Sequence, residues 1–185
     1  LTFSQSQAVT YWLTEKYAPE IFEQIKARVK EGRWEITANT WVEGDRNLSS
    51  GEAMVRHILY SKQYIKDKFG IDYDDIKIDW EPDTFGHAAT VPELLNKAGI
   101  KYYYFCRCSV GHPLFWWEGP KGARVLASNK QWYNHSISPE DALEVLPFEE
   151  RTGLRDHLVV YGVGDHGGGP TRRDILTALR MQQWL

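Results

Sequence analysis

Short extended runs alternate with capped amphipathic helices along this chain, and that alternation leaves few architectures open. Helical periodicity covers 4–17, then 19–32, where Ile21, Phe22, Ile25 and Val29 share one face and Gly32 stops the helix. A long helix over 49–70 opens on a capping box of Ser49 and Glu52 and closes at Gly70. Further helices are expected over 90–99, with Thr90 and Glu93 as the box, over 138–146, with Ser138, Pro139 and Asp141 at the start, and from Thr171 with Asp174 onward. Between them lie extended runs at 33–39, 76–80, 100–107, 114–119, 123–128 and 157–162. The pattern predicts an α/β fold, a parallel sheet covered by helices. In such sheets ligand groups gather at the carboxyl ends of the strands.

The 185 residues make one ordinary domain, long enough to bury a core. Many of the eight Trp and ten Tyr belong to a core, and some can serve as sugar platforms, because an aromatic face stacks on the apolar face of a sugar ring. A net charge of -3 gives no basis for binding nucleic acid or an anionic membrane. No run reaches transmembrane length. Cys106 and Cys108 lie on one extended run and are read as free thiols of a reducing compartment. The chain opens without a Met and stops inside a helical pattern, so a segment of a longer protein is expected.

Two junctions share one design. In "IDWEPDTFG" an extended run ends and Asp83 follows it, between Pro82 and Gly86; in "LVVYGVGDHGGGPT" Asp165 follows another such run. The second also reads G-x-G-x-x-G from Gly162 to Gly167, but no later strand carries the acidic partner of a dinucleotide loop, so the glycines are read as letting the backbone approach a bulky ligand. Two carboxylates at one end of a sheet are the minimum equipment for glycoside hydrolysis, and a carboxylate can also ligate a divalent metal. Taken alone, an Asp in a turn is more often a turn former. Arg107 ends the extended run after Asp83 and can hold a carboxylate. His87, His112, His135, His157 and His166 form neither H-x-H nor H-x-x-x-H pairs, so each reads as structural.

With "NTWVEGD", "PDTFGHAATVPELLNKAGI" and "YGVGDHGGGPTRRDI" in that order, the chain resembles the family 38 glycoside hydrolases, the retaining α-mannosidases, over nearly its whole length. The resemblance implies that Asp83 is the nucleophile and also a ligand of one zinc ion. It implies that Asp165 is the general acid/base, that Arg107 lies beside the nucleophile and that Trp41 lines the sugar site. It implies that residues 1–185 are part of an incomplete (β/α) barrel-like catalytic domain truncated at both ends, with the helical bundle and β-sandwich domains absent. The remaining zinc ligands, a His-x-Asp pair before Leu1 and a downstream His, are expected outside this chain. His166 stands where the family loop has Gly. The substrate implied is an α-mannoside; a cytoplasmic location is expected, and self-association is left open.

Two alternatives stand beside this reading. One is a metal-dependent polysaccharide deacetylase, which should show H-x-x-x-H spacing. The other is a non-catalytic carbohydrate-binding fragment using Trp116, Trp117 and Trp132.

Overall fold

The computed structural model describes residues 2–129, 133–164 and 168–183. They form two compact units, one of residues 1–108 with 115–128, the other of 109–114 with 129–185.

The first unit starts with a strand, β1 (Phe3–Gln7), followed by helix α1 (Ala8–Tyr17). This corrects the expectation of one helix over 4–17. Ser and Gln favour neither state strongly, and a partner decides: β1 lies parallel to β2 (Trp34–Thr40), with Phe3 opposite Trp34 and Gln5 opposite Ile36. Helix α2 (Pro19–Lys30) buries Phe22 and Ile25 while Ile21 is exposed, and Gly32 follows it in the left-handed region at φ 73°. Helix α3 (Gly51–Phe69) is capped one residue later than expected. The Ser50 hydroxyl accepts the Ala53 N–H at 3.2 Å, and Gly70 closes the helix at φ 71°. Inside it, the ammonium of buried Lys62 donates to the carbonyls of Tyr73 (2.9 Å) and Ala98 (2.6 Å).

Strand β3 (Ile78–Glu81) runs parallel to β4 (Tyr102–Phe105), and the second sheet continues β3-β4-β6-β5 with β5 (Leu114–Glu118) and β6 (Arg124–Asn129). Both β1–β2 and β3–β4 are parallel pairs, and β2 packs beside β3. The architecture is mixed α/β. Ile36 and Ala38 of β2 meet Tyr11, Phe22 and Ile65 in one core; Tyr103 and Phe105 of β4 meet Ile58, Leu95 and Val125 in another. Helix α4 (Val91–Lys97) lacks the expected cap, because Thr90 makes no side-chain bond to it. Glu93 instead accepts the Lys121 N–H at 2.7 Å in the turn between β5 and β6. The two cysteines are free, Cys106 buried and Cys108 exposed; both lie past the end of β4, and Cys108 sits at a positive φ of 68°, so no strand sets their directions.

The second unit carries helices α5 (Val145–Thr152) and α6 (Arg172–Met181). The run 138–146 forms only a short 3₁₀ turn, Pro139–Ala142, with the expected Ser138–Asp141 box, and α5 follows it. Thr171 and Asp174 make a complete capping box on α6. The expected strand over 157–162 is absent. An apolar run becomes a strand only where another strand meets its backbone, and here pairing amounts to isolated bridges, His135 with Gly162 and Val163 with Gly169. Among the described residues no helix is long and apolar enough to cross a membrane.

Candidate active site

Three strand ends supply the site in the first unit. Past the carboxyl end of β3, the chain turns through Pro82, Asp83 and Thr84 to Gly86, whose φ of 83° is a glycine conformation. A Cβ on Gly86 would also overlap the Asn47 side chain, so this turn lies tight against the loop after β2. Past β4, Arg107 turns back to Asp83: its Nε donates to Asp83 Oδ1 at 2.7 Å, and a second guanidinium nitrogen reaches the same oxygen. Both side chains remain about two-fifths exposed, open to a ligand. The guanidinium also lies over the Phe85 ring, 4.6 Å from its centroid, and Phe85 is exposed. Past β2, Glu43 Oε1 accepts the Asp83 backbone N–H at 2.8 Å and lies 3.2 Å from the Thr84 hydroxyl.

Beneath the turn is a buried charged layer. One nitrogen of Arg46 donates to Asp79 at 2.8 and 3.0 Å and also meets Glu81. The Thr84 hydroxyl lies 2.6 Å from Glu81 Oε2, so the layer continues up to the residue beside Asp83. Burial lifts Glu81 well above the ordinary carboxylate range, and the negative charge of Asp79 adds to the shift. Burial acts against the charge on Arg46, but Asp79 and Glu81 outweigh it and raise its pKa overall. Sequence reasoning missed this layer and Glu43. The available signal was Glu43 in "NTWVEGD", an acid just past a strand, as Asp83 is.

Trp41 projects into a different place. It packs edge-on against Tyr64, ring centroids 5.7 Å apart, and with Trp12, Tyr60 and Tyr64 lines an open groove of about 860 Å³ whose lining includes neither Asp83 nor Arg107. Asp165 and Trp132 lie outside the described residues, as does His166. Among the described glycines near Asp165, a Cβ on Gly168 would overlap the Val163 carbonyl, and the Val163 N–H donates to Gly169 O at 3.0 Å. Gly168 thus lets main chain approach main chain.

Three of the described histidines, His87, His135 and His157, have structural partners. His87 Nδ1 meets the Tyr103 hydroxyl at 2.8 Å inside a ring of Tyr103, Phe105 and Trp117, and burial lowers its pKa. His135 pairs with Asp141 (2.7 Å) and His157 with Glu144 (3.0 Å). Trp117 packs on Tyr103 in the core, whereas Trp116 is exposed. Among the described residues no group of three or more His, Cys, Asp or Glu is arranged to hold a metal ion.

Comparison with known proteins bears on this geometry. The family model for the glycosyl hydrolases family 38 N-terminal domain matches residues 1–183. Alpha-mannosidase G of Dictyostelium discoideum is 34% identical over 181 residues, which cover 91% of this chain and 16% of that protein. Human alpha-mannosidase 2C1 is 33% identical over 178 residues, covering 91% of this chain and 17% of that protein. Thus the chain spans about a sixth of the length of these relatives. The crystal structure of an alpha-mannosidase from Enterococcus faecalis V583 shares the fold, with a TM-score of 0.76 at 24% identity over 100% of this chain and 22% of that one.

Proposed function

The chain belongs to the family of the glycosyl hydrolases family 38 N-terminal domain, and from that premise we propose that it carries part of the catalytic centre of a retaining α-mannosidase. The substrate is terminal α-linked mannose on oligosaccharides or glycans. The observation that carries the reading is the convergence on Asp83: Arg107, from the end of the neighbouring parallel strand, clamps its carboxylate while leaving it accessible. An exposed carboxylate held in one orientation at the carboxyl end of a sheet is what attack on a sugar carbon requires.

Asp83 attacks the anomeric carbon and forms a glycosyl ester as the bond to the leaving oxygen breaks. Asp165 gives its proton to that oxygen, then takes one from the water that displaces Asp83. Two such inversions restore the starting configuration, and the carboxyl groups of a retaining pair stand about 5–5.5 Å apart. Arg107 keeps the attacking oxygen from rotating away. Trp41 lines the separate groove beside Tyr64, so no stacking role at the reacting sugar is assigned to it.

The family likeness also implies zinc. Because the described residues contain no metal-holding group, they do not fit a zinc centre by themselves, and no step above runs through the ion. The proposal for zinc is limited to Asp83 as one ligand, the others coming from protein outside this chain. On the same reading these residues are a segment of a barrel-like catalytic domain that continues in both directions, in a cytoplasmic enzyme. The deacetylase alternative is not favoured, since the glycosyl hydrolase family model runs through residues 1–183.

The test uses the full-length protein. A fluorinated mannosyl inhibitor that traps the ester should label the peptide containing Asp83, and Asp83→Ala should abolish labelling and lower turnover at least about 10³-fold. Asp165→Ala should spare the first step for aryl mannosides with good leaving groups. A product of inverted configuration, or a label on another carboxylate, overturns the assignment.

A further inference from the structure

We propose that Glu43 is a positioning residue for Asp83, fixing its main chain as Arg107 fixes its side chain; the inference rests on the reading of Asp83 as nucleophile. A residue just past a strand has lost the ladder that would satisfy its N–H. At Asp83 that N–H goes to a carboxylate forty positions away in sequence, at 2.8 Å. Hydrogen bonds to a charged acceptor are shorter and roughly twice as strong as neutral ones. The same Glu43 oxygen sits 3.2 Å from the Thr84 hydroxyl, so one side chain grips two consecutive residues of the turn. Thr84 is held from below as well, by Glu81 at 2.6 Å.

The clamps come from different strands. Glu43 follows β2, which packs beside β3, and Arg107 follows β4, which pairs with β3. With the peptide N–H held by one and the carboxylate Oδ1 by the other, rotation about the backbone and side-chain bonds of Asp83 is restricted at both ends. A misplacement of 1 Å at an attacking atom can cost about 10²-fold in rate, so releasing one clamp should act on the chemical step more than on binding.

The test compares Glu43→Ala with Glu43→Gln in the full-length protein. Gln retains a carbonyl acceptor at the same reach; Ala removes it. Glu43→Ala should lower kcat about 10²-fold with KM changed less than about threefold, and Glu43→Gln should recover most of that loss. Amide hydrogen exchange resolved at Asp83 should be slow in the parent, faster in the Ala variant and slowed again in the Gln variant. If Ala folds poorly, Glu43→Asp, which withdraws the carboxylate by one methylene, carries the same comparison. The proposal falls if the Ala variant keeps its kcat within about twofold, if Gln does no better than Ala, or if exchange at Asp83 ignores position 43. Absence of α-mannosidase turnover in the parent would overturn the nucleophile reading instead, and the exchange measurement would still decide whether Glu43 holds the turn.

Discussion

Asp83 and Asp165 hold equivalent places in the sequence, each an acid after an apolar run, but the two units that carry them are built by different means. The unit of Asp83 has parallel strands whose side chains disappear into two cores, with Ile65, Leu95, Val125 and Ala127 fully buried. In the unit of Asp165, Ala178 is the one buried hydrophobic side chain among the described residues, while Leu143, Leu146, Leu154, Leu176 and Leu179 are exposed. There the order comes from capping boxes and from main chain packed on glycine. One acid is aimed by a core and a charged layer under it, whereas the described residues flanking the other in sequence are held by hydrogen bonds rather than by a core.

Removing a charge from each unit should separate them most. Arg46→Ala leaves Asp79 and Glu81 buried without their counter-charge and should cost about 3–5 kcal/mol in denaturant unfolding. Arg155→Ala, which removes an exposed partner of Glu149, should change stability by less than about 0.5 kcal/mol. Truncating one leucine in each unit sharpens the same contrast. Leu95→Ala should cost about 2–5 kcal/mol, and Leu146→Ala should fall within about 0.5 kcal/mol of the parent.

Smaller effects probe the second unit on its own terms. Thr171→Ala removes the cap of α6 and should cost about 1 kcal/mol, read as faster amide exchange in the first turn of that helix. Acid should act at the same place. The Thr171 hydroxyl, together with the backbone N–H groups of Thr171 and Ile137, holds the Asp174 carboxyl below its usual range against the opposing effect of burial. A carboxylate depressed in the folded state stabilises above its unfolded pKa, near 3.9, and that contribution is lost as pH falls through the folded value. Protection of the α6 amides, measured relative to their intrinsic exchange rates at each pH, should therefore fall in acid, and Asp174→Asn should flatten the fall.

What could be read from sequence followed from how far a residue must look for its partner. Gly32, Gly70 and the Thr171–Asp174 box act within a turn or two, and all appear as expected. The cap at Thr90 did not form, because Glu93 finds the backbone of Lys121 across 28 residues. Strand β1 exists because β2 lies alongside it, and 157–162 lacks such a neighbour. At the site, Asp83 and Arg107 announced themselves as residues at strand ends. Glu43 and Arg46 carried the same mark, but their roles depend on contacts made across 33 to 41 positions, which spacing along a chain does not encode.

Neighbouring glycines at 168 and 169 should drift very differently in evolution. At 168 the volume of a side chain is already occupied by the Val163 carbonyl, while at 169 open space begins where a Cβ would be. A saturation library selected for folding should return glycine almost alone at the first position and a broad alphabet at the second. Beside an acid that the proposed reaction needs, a single carbonyl oxygen would then govern which mutations the lineage can survive.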